Sequence, residues 1–116
     1  MKFTFDKKEK TLIIQLEGRL IGEFQTIELN DMIDEYLDEK HIHLIFDLSK
    51  LEYINSTGLN FFLKTLTKVR KHDGEVVLCS LNTMLENLLV TTKLSSFFII
   101  SKNIDDALAE LKKEKA

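Results

Sequence analysis

Asn55-Ser56-Thr57-Gly58 sets two hydroxyl side chains between an amide and a residue without a Cβ, at the start of a segment with helical spacing. A helix start offers free backbone amides and the positive end of the helix dipole, which accept a capping oxygen or favour an added negative charge. Two readings follow. In the first, the side-chain oxygen of Asn55, Ser56 or Thr57 simply caps the helix. In the second, Thr57, with Ser56 as the alternative, is an acceptor for phosphate, which would bring roughly −1.5 to −2 charge beside those amides and repel a partner fitted to a neutral hydroxyl. Gly58 suits the second reading, because a first turn lacking a Cβ lets another backbone or a phosphate group come close.

The other reactive residue types carry less. The only cysteine, Cys79, stands in Val76-Val77-Leu78-Cys79 and reads as a small hydrophobe, with no second thiol in the chain for a disulfide. His41 and His43 flank Ile42, His72 stands at a helix end, and no Cys, Asp or Glu spacing completes a metal set around them, so they read as surface histidines. With no Gly-rich phosphate loop and no Ser/His/Asp set either, we expect no metal, no cofactor and no enzyme.

Composition agrees. The 116 residues are 44% hydrophobic and 30% charged, which fits one globular domain over 1–116. The net charge of −3 provides no basic field for nucleic acid or anionic lipid, so a protein is the expected partner. No apolar run reaches the roughly 18 residues that cross a bilayer, and the N-terminus has no apolar core before a cleavage site; a cytoplasmic protein is expected.

The elements that position the hydroxyls follow from periodicity. Phe3 and Phe5 alternate with polar residues, the period of a half-buried strand, and Thr11 to Glu17 follows as a second strand. Gly18 and Gly22 then bracket a loop with an apolar tip, Arg19-Leu20-Ile21. From Phe24 onward, Leu29, Met32, Ile33, Tyr36 and Leu37 recur at helical spacing against an acidic face that extends to Glu39. Ile42 to Leu48 is apolar on both faces and is the expected sheet centre, leading through a loop from Ser49 to Asn55 into the second helix. Glu75 to Ser80 and Phe97 to Ile100 read as further strands, separated by a short helix opened by Thr83-Met84-Leu85-Glu86. A last helix follows Asn103 and ends in Lys112, Lys113 and Lys115. The order implies an α/β fold: a mostly parallel sheet of four to five strands with an antiparallel N-terminal strand, packed by about four helices. Its carboxyl edge would join the loop Gly18 to Glu23 with the loop Ser49 to Asn55 in one surface.

On the second helix the apolar stripe is Leu59, Phe62, Leu63, Leu66 and Val69. At about 100° per residue, Phe61 projects roughly 140° from that stripe, outward with Thr57, Lys64 and Lys68. It is either an exposed interface anchor or a large flanking residue partly covered by a neighbouring loop.

Phe46-Asp47-Leu48 followed by Tyr53-Ile54-Asn55-Ser56-Thr57-Gly58-Leu59 resembles the signature of STAS domains, and within them the bacterial anti-sigma factor antagonists. In that family an apolar strand ends near an Asp, and Asp-Ser-Ser-Gly or Asp-Ser-Thr-Gly opens a helix; the element order matches along nearly the whole chain. The resemblance implies a switch in which a serine/threonine kinase, itself an anti-sigma factor, phosphorylates the second hydroxyl, here Thr57. The unphosphorylated form binds that kinase and frees a sigma factor, and a phosphatase resets the system. It also implies a partner surface formed by Leu20, Ile21, Phe24, Tyr53, Asn55, Ser56, Gly58 and Phe61. Two residues depart from the pattern: Asn55 stands where the family has Asp, and Ile21 replaces the Asp of Gly-x-Leu-Asp, leaving Glu23 as the nearest acid in that loop. The alternative within the family is a scaffold or transporter-associated subunit that binds its partner constitutively, Thr57 serving only as a cap.

Overall fold

The computed structural model describes residues 1–38 and 43–115, the side chains of 113–115 excepted. The expected positions of Glu39, His41, Ile42 and the side chains of Lys113 and Lys115 lie outside the described residues.

The two N-terminal alternating segments form β1 (Lys2–Lys8) and β2 (Thr11–Leu20), paired antiparallel. A 3-10 turn (Glu23–Thr26) leads into α1 (Ile27–Asp38). Strand and helix then alternate as β3 (His43–Ile54), α2 (Ser56–Lys71), β4 (Val76–Cys79), α3 (Thr83–Thr91), β5 (Ile99–Ser101) and α4 (Ile104–Lys115). The five strands lie in sequence order, and every pair after the first is parallel.

That order dictates where the helices go. All three crossovers step the same way along the sheet, and right-handed crossovers therefore lay α1, α2 and α3 on one face. Leu12, Ile14 and Leu16 of β2 and Leu44, Phe46 and Leu48 of β3 meet Leu29 and Ile33, Phe62 and Leu66, and Leu85 and Leu89 there. The opposite face carries Ile13, Ile45, Val77 and Cys79 under Ala107 and Leu111 of α4. With both faces covered, the central strands read as continuous apolar runs.

Four placements differ from the expected ones. Strand β3 does not stop at Leu48: it runs to Ile54, and β2 runs to Leu20, so nearly all of the expected loop Ser49 to Asn55 and the first half of the loop Gly18 to Glu23 are strand. The pairing shifts register between Gln15 and Glu17 and again between Gly18 and Arg19, with β3 carrying the extra residue each time. The buried positions Leu48, Leu51 and Ile54 are thus spaced by three, and an alternation test misses them. Leu20, read as a loop tip, is the fully buried last residue of β2. His43 is not a surface histidine: it is buried, and its Nδ1 accepts the backbone N–H of Glu75 at 3.1 Å. Asn82 rather than Thr83 caps α3, its Oδ1 accepting from Leu85 N at 2.8 Å, and Asn103 caps α4 in the same way through Asp106 N.

Cys79 is fully buried, and burial, reinforced by the neighbouring Asp47 carboxylate, pushes its thiol up to about 11. Thiolate is the reactive form, so native protein at pH 8 should give almost no colour with a disulfide reagent and one equivalent after denaturation. Rapid reaction of the folded protein would contradict this placement.

Candidate functional site

The ends of β2 and β3 lie side by side, Leu20 paired with Ile54, so the chain leaving each strand starts from one point on the sheet edge. From β3 it enters α2 at once. Asn55 is the N-cap: its Oδ1 accepts from Thr57 N at 3.0 Å and Gly58 N at 3.2 Å. The cap therefore belongs to Asn55 alone, and among the described residues neither the Ser56 nor the Thr57 hydroxyl is engaged in a side-chain hydrogen bond. Ser56 is exposed and Thr57 half-buried.

From β2 the chain enters the loop and the 3-10 turn. Gln25 shapes this loop: its Oε1 accepts from Ile21 N at 2.8 Å and Gly22 N at 2.9 Å, while its Nε2 donates to Arg19 O at 2.9 Å. With its own polar groups satisfied in this way, the loop turns its apolar side chains to solvent. Phe24 is 77% exposed, Ile27 61%, Ile21 42% and Tyr53 40%, which makes this edge a concentration of uncovered apolar surface of the kind that marks interaction sites. The Arg19 guanidinium lies 5.2 Å from the centroid of the Tyr53 ring and holds it as a cation–π pair.

Between the 3-10 turn with α1 and the first half of α2 runs a groove of about 260 Å³, lined by Glu23, Thr26, Ile27, Asn30, Thr57, Asn60, Phe61 and Lys64. Thr57 thus opens onto a cleft that holds one acid and one base. Farther along, Lys68 Nζ and Asp34 Oδ1 close the gap between the helices at 2.7 Å; both are well solvated, so the pair guides orientation more than it stabilises.

Phe61 is corrected by this arrangement. It is 5% exposed, and its ring packs edge-on against Phe46 at 5.9 Å and Phe62 at 5.3 Å. The buried stripe of α2 is Gly58, Phe61, Phe62, Thr65, Leu66 and Val69, with Leu59 and Leu63 half-buried at its margin. With Gly58, Phe61 and Thr65 inside and Leu59 and Leu63 at the margin, the inner face is rotated by roughly 65° from the apolar stripe at about 100° per residue. Apolar types alone concealed it, because Thr65 reaches the core by donating its hydroxyl to Phe61 O at 2.8 Å.

Of the expected surface residues, then, Ile21, Phe24, Tyr53, Asn55 and Ser56 come together at one edge, while Leu20, Gly58 and Phe61 lie beneath it. Gly58 does permit a close approach, and the neighbour is backbone: a Cβ there would stand 2.8 Å from Leu20 O. Ile27 and Gln25 were missed. Ile27 sits about 200° from Leu29 on α1, a signal of outward projection, and Gly22-x-x-Gln25 has the spacing of a capping box.

Among the described residues no group of three or more His, Cys, Asp or Glu could hold a metal ion, and no helix is long and apolar enough to cross a membrane. The molecule is an α/β domain whose sheet, at the carboxyl ends of β2 and β3, carries an exposed apolar surface around a hydroxyl-bearing helix start. The chain belongs to the STAS domain family, whose model matches residues 2–107. It is 29% identical over 112 residues, 97% of this chain and 96% of the other, to BtrV of Bordetella bronchiseptica, described as a candidate anti-sigma factor antagonist. It is 28% identical over 102 residues, 86% of each chain, to the anti-sigma F factor antagonist of Paenibacillus polymyxa. A Thermotoga maritima crystal structure shares the fold at a TM-score of 0.86 with 24% identity, covering 95% of this chain and 94% of that one.

Proposed function

We propose that this STAS domain is an anti-sigma factor antagonist, a binding protein that sequesters an anti-sigma factor and so releases a sigma factor in the cytoplasm. The observation that carries the reading is the pair of hydroxyls, Ser56 and Thr57, freed from capping by Asn55 and set beside an edge where Ile21, Phe24, Ile27 and Tyr53 are uncovered. The names of the full-length relatives support it.

The finer mechanism is a charge switch. The partner would be an anti-sigma factor with serine/threonine kinase activity, docking on the apolar edge and transferring phosphate to Thr57, with Ser56 the alternative acceptor. A dianion at Thr57 is tolerated locally by the amino end of α2 and by Lys64, but Glu23 lies in the same groove, and a partner surface fitted to a hydroxyl would meet a desolvated charge. A phosphatase would restore the binding form. Thr57→Glu should therefore lower partner affinity by about tenfold or more while Thr57→Ala retains it, read by titration against the partner recovered on an affinity column. Equal affinities would remove the switch.

A second reading is a constitutive scaffold or transporter-associated subunit. It is favoured by one observation: both positions where the family pattern has acids beside the acceptor, Asn55 and Ile21, are neutral and bonded to each other. Mass spectrometry of protein from its native cells, before and after starvation, separates the two; residues 56 and 57 never carrying phosphate would select the scaffold.

A further inference from the structure

Asn55 does more than cap α2. Its Nδ2 donates to Ile21 O at 3.0 Å, and its backbone N–H donates to Leu20 O at 3.4 Å. The amide orientation follows from its partners, since Oδ1 faces two N–H groups and Nδ2 a carbonyl, and the flipped amide would set donors against donors. The same two peptide units are held from the other side by Gln25. In the unit joining Leu20 and Ile21, the carbonyl is taken by Asn55 and the N–H by Gln25 Oε1; in the unit joining Ile21 and Gly22, the carbonyl is again taken by Asn55 and the N–H again by Gln25 Oε1. Two consecutive peptide planes are thus clamped between a residue of the helix start and a residue of the loop.

We propose that Asn55 is a positioning residue that couples the first turn of α2 to the loop presenting Ile21 and Phe24, so that the loop keeps its conformation only while the Asn55 amide bridges to Ile21. The clamp lies between the candidate acceptor and the exposed apolar residues: Thr57 N and Ile21 O are bonded to the two ends of one side-chain amide. Any event that moves the first turn is delivered to the loop through that amide. The coupling also gives the departure from the family pattern a physical content. An aspartate at 55 keeps both cap bonds, because a carboxylate accepts them as well or better at a helix start. It has no proton to donate to Ile21 O, and would point an oxygen at that carbonyl instead. In this chain the loop is tethered by a neutral donor that an acid cannot replace. The proposal rests on the reading of the loop as a docking surface only for its consequence, since the coupling itself involves no partner.

Amide hydrogen exchange by NMR on the full chain tests it. Asn55→Asp and Asn55→Ser both preserve a good cap, and neither donates to Ile21: the first lacks the proton and the second the reach. Each should speed exchange of the Ile21 and Gly22 amides by about tenfold, the scale of one lost hydrogen bond with an unsatisfied carbonyl, while the amides of Phe62 to Leu66 in α2 stay within twofold of the parent. Unchanged Ile21 and Gly22 rates in both variants would overturn the coupling, as would an equal acceleration of loop and helix, which would make Asn55 a cap alone. Phe24→Ala affinity for the partner is a separate measurement: were it unaltered, the docking reading would fail while the exchange result still decided the coupling.

Discussion

Phe61→Ala should destabilise the protein by about 3–5 kcal/mol, the cost of removing a buried aromatic ring and leaving a cavity that a sheet-backed site cannot collapse to fill. The ring sits in a three-phenylalanine cluster with Phe46 and Phe62, whose centroids are 5.1 Å apart, and Phe46 lies at the sheet centre where the backbone is least free to relax. For a chain of this size the loss corresponds to a fall of about 10–20 °C in melting temperature. Phe24→Ala should do the opposite: with its ring 77% exposed, stability should stay within about 0.5 kcal/mol, while partner affinity falls by the 2 kcal/mol or so typical of an aromatic anchor. Paired calorimetric melts and binding titrations distinguish the two phenylalanines. A Phe61→Ala variant that melted with the parent, or a Phe24→Ala variant that melted far below it, would contradict the burial assigned here.

Gly58→Ala is the second large effect, and its sign is informative. In an ordinary helix the change stabilises by roughly 0.5–1 kcal/mol, because alanine loses less backbone entropy. Here the new Cβ would meet Leu20 O at 2.8 Å and Ile54 Cβ at 2.9 Å. The first of these is backbone at the end of β2, and no rotamer change moves it. The clash must be relieved by lifting the first turn of α2 off the sheet edge, with overpacking costs of about 1–3 kcal/mol outweighing the propensity gain. It would also stretch the Asn55 bridge to Ile21. Urea denaturation should show a lower midpoint at unchanged slope. A midpoint equal to the parent's or higher would mean that the helix start is not pressed against Leu20.

The glycine shows how reading a residue locally can find the right constraint and the wrong neighbour. Its missing Cβ marks a close approach from sequence alone, but whether backbone or phosphate arrives depends on where β2 ends. That end was hidden because the register of β2 against β3 slips twice, and the slips stretch the apolar spacing of β3 from two to three. The same applies to capping. Sequence narrowed the cap to Asn55, Ser56 or Thr57, and the structure gave the role to Asn55, which left both hydroxyls without that duty.

By itself, the sequence determined the order and direction of the elements, the parallel core with its antiparallel first strand, a helix start within Asn55 to Thr57 and the apolar character of the neighbouring loop. These depend on local periodicity, on turn and cap residues, and on the handedness of crossovers, all of which act over a few residues or follow from chain order. Only the tertiary structure decided which side of α2 faces inward, that Leu20 and Phe61 belong to the core while Phe24 and Ile27 do not, and that Asn55 bridges two strand ends. Close packing against the sheet admits the small Gly58 and the self-satisfied Thr65 to the inner face of α2 ahead of Leu59 and Leu63. A bond between residues 21 and 55 exists because two parallel strands end side by side, which no local pattern encodes.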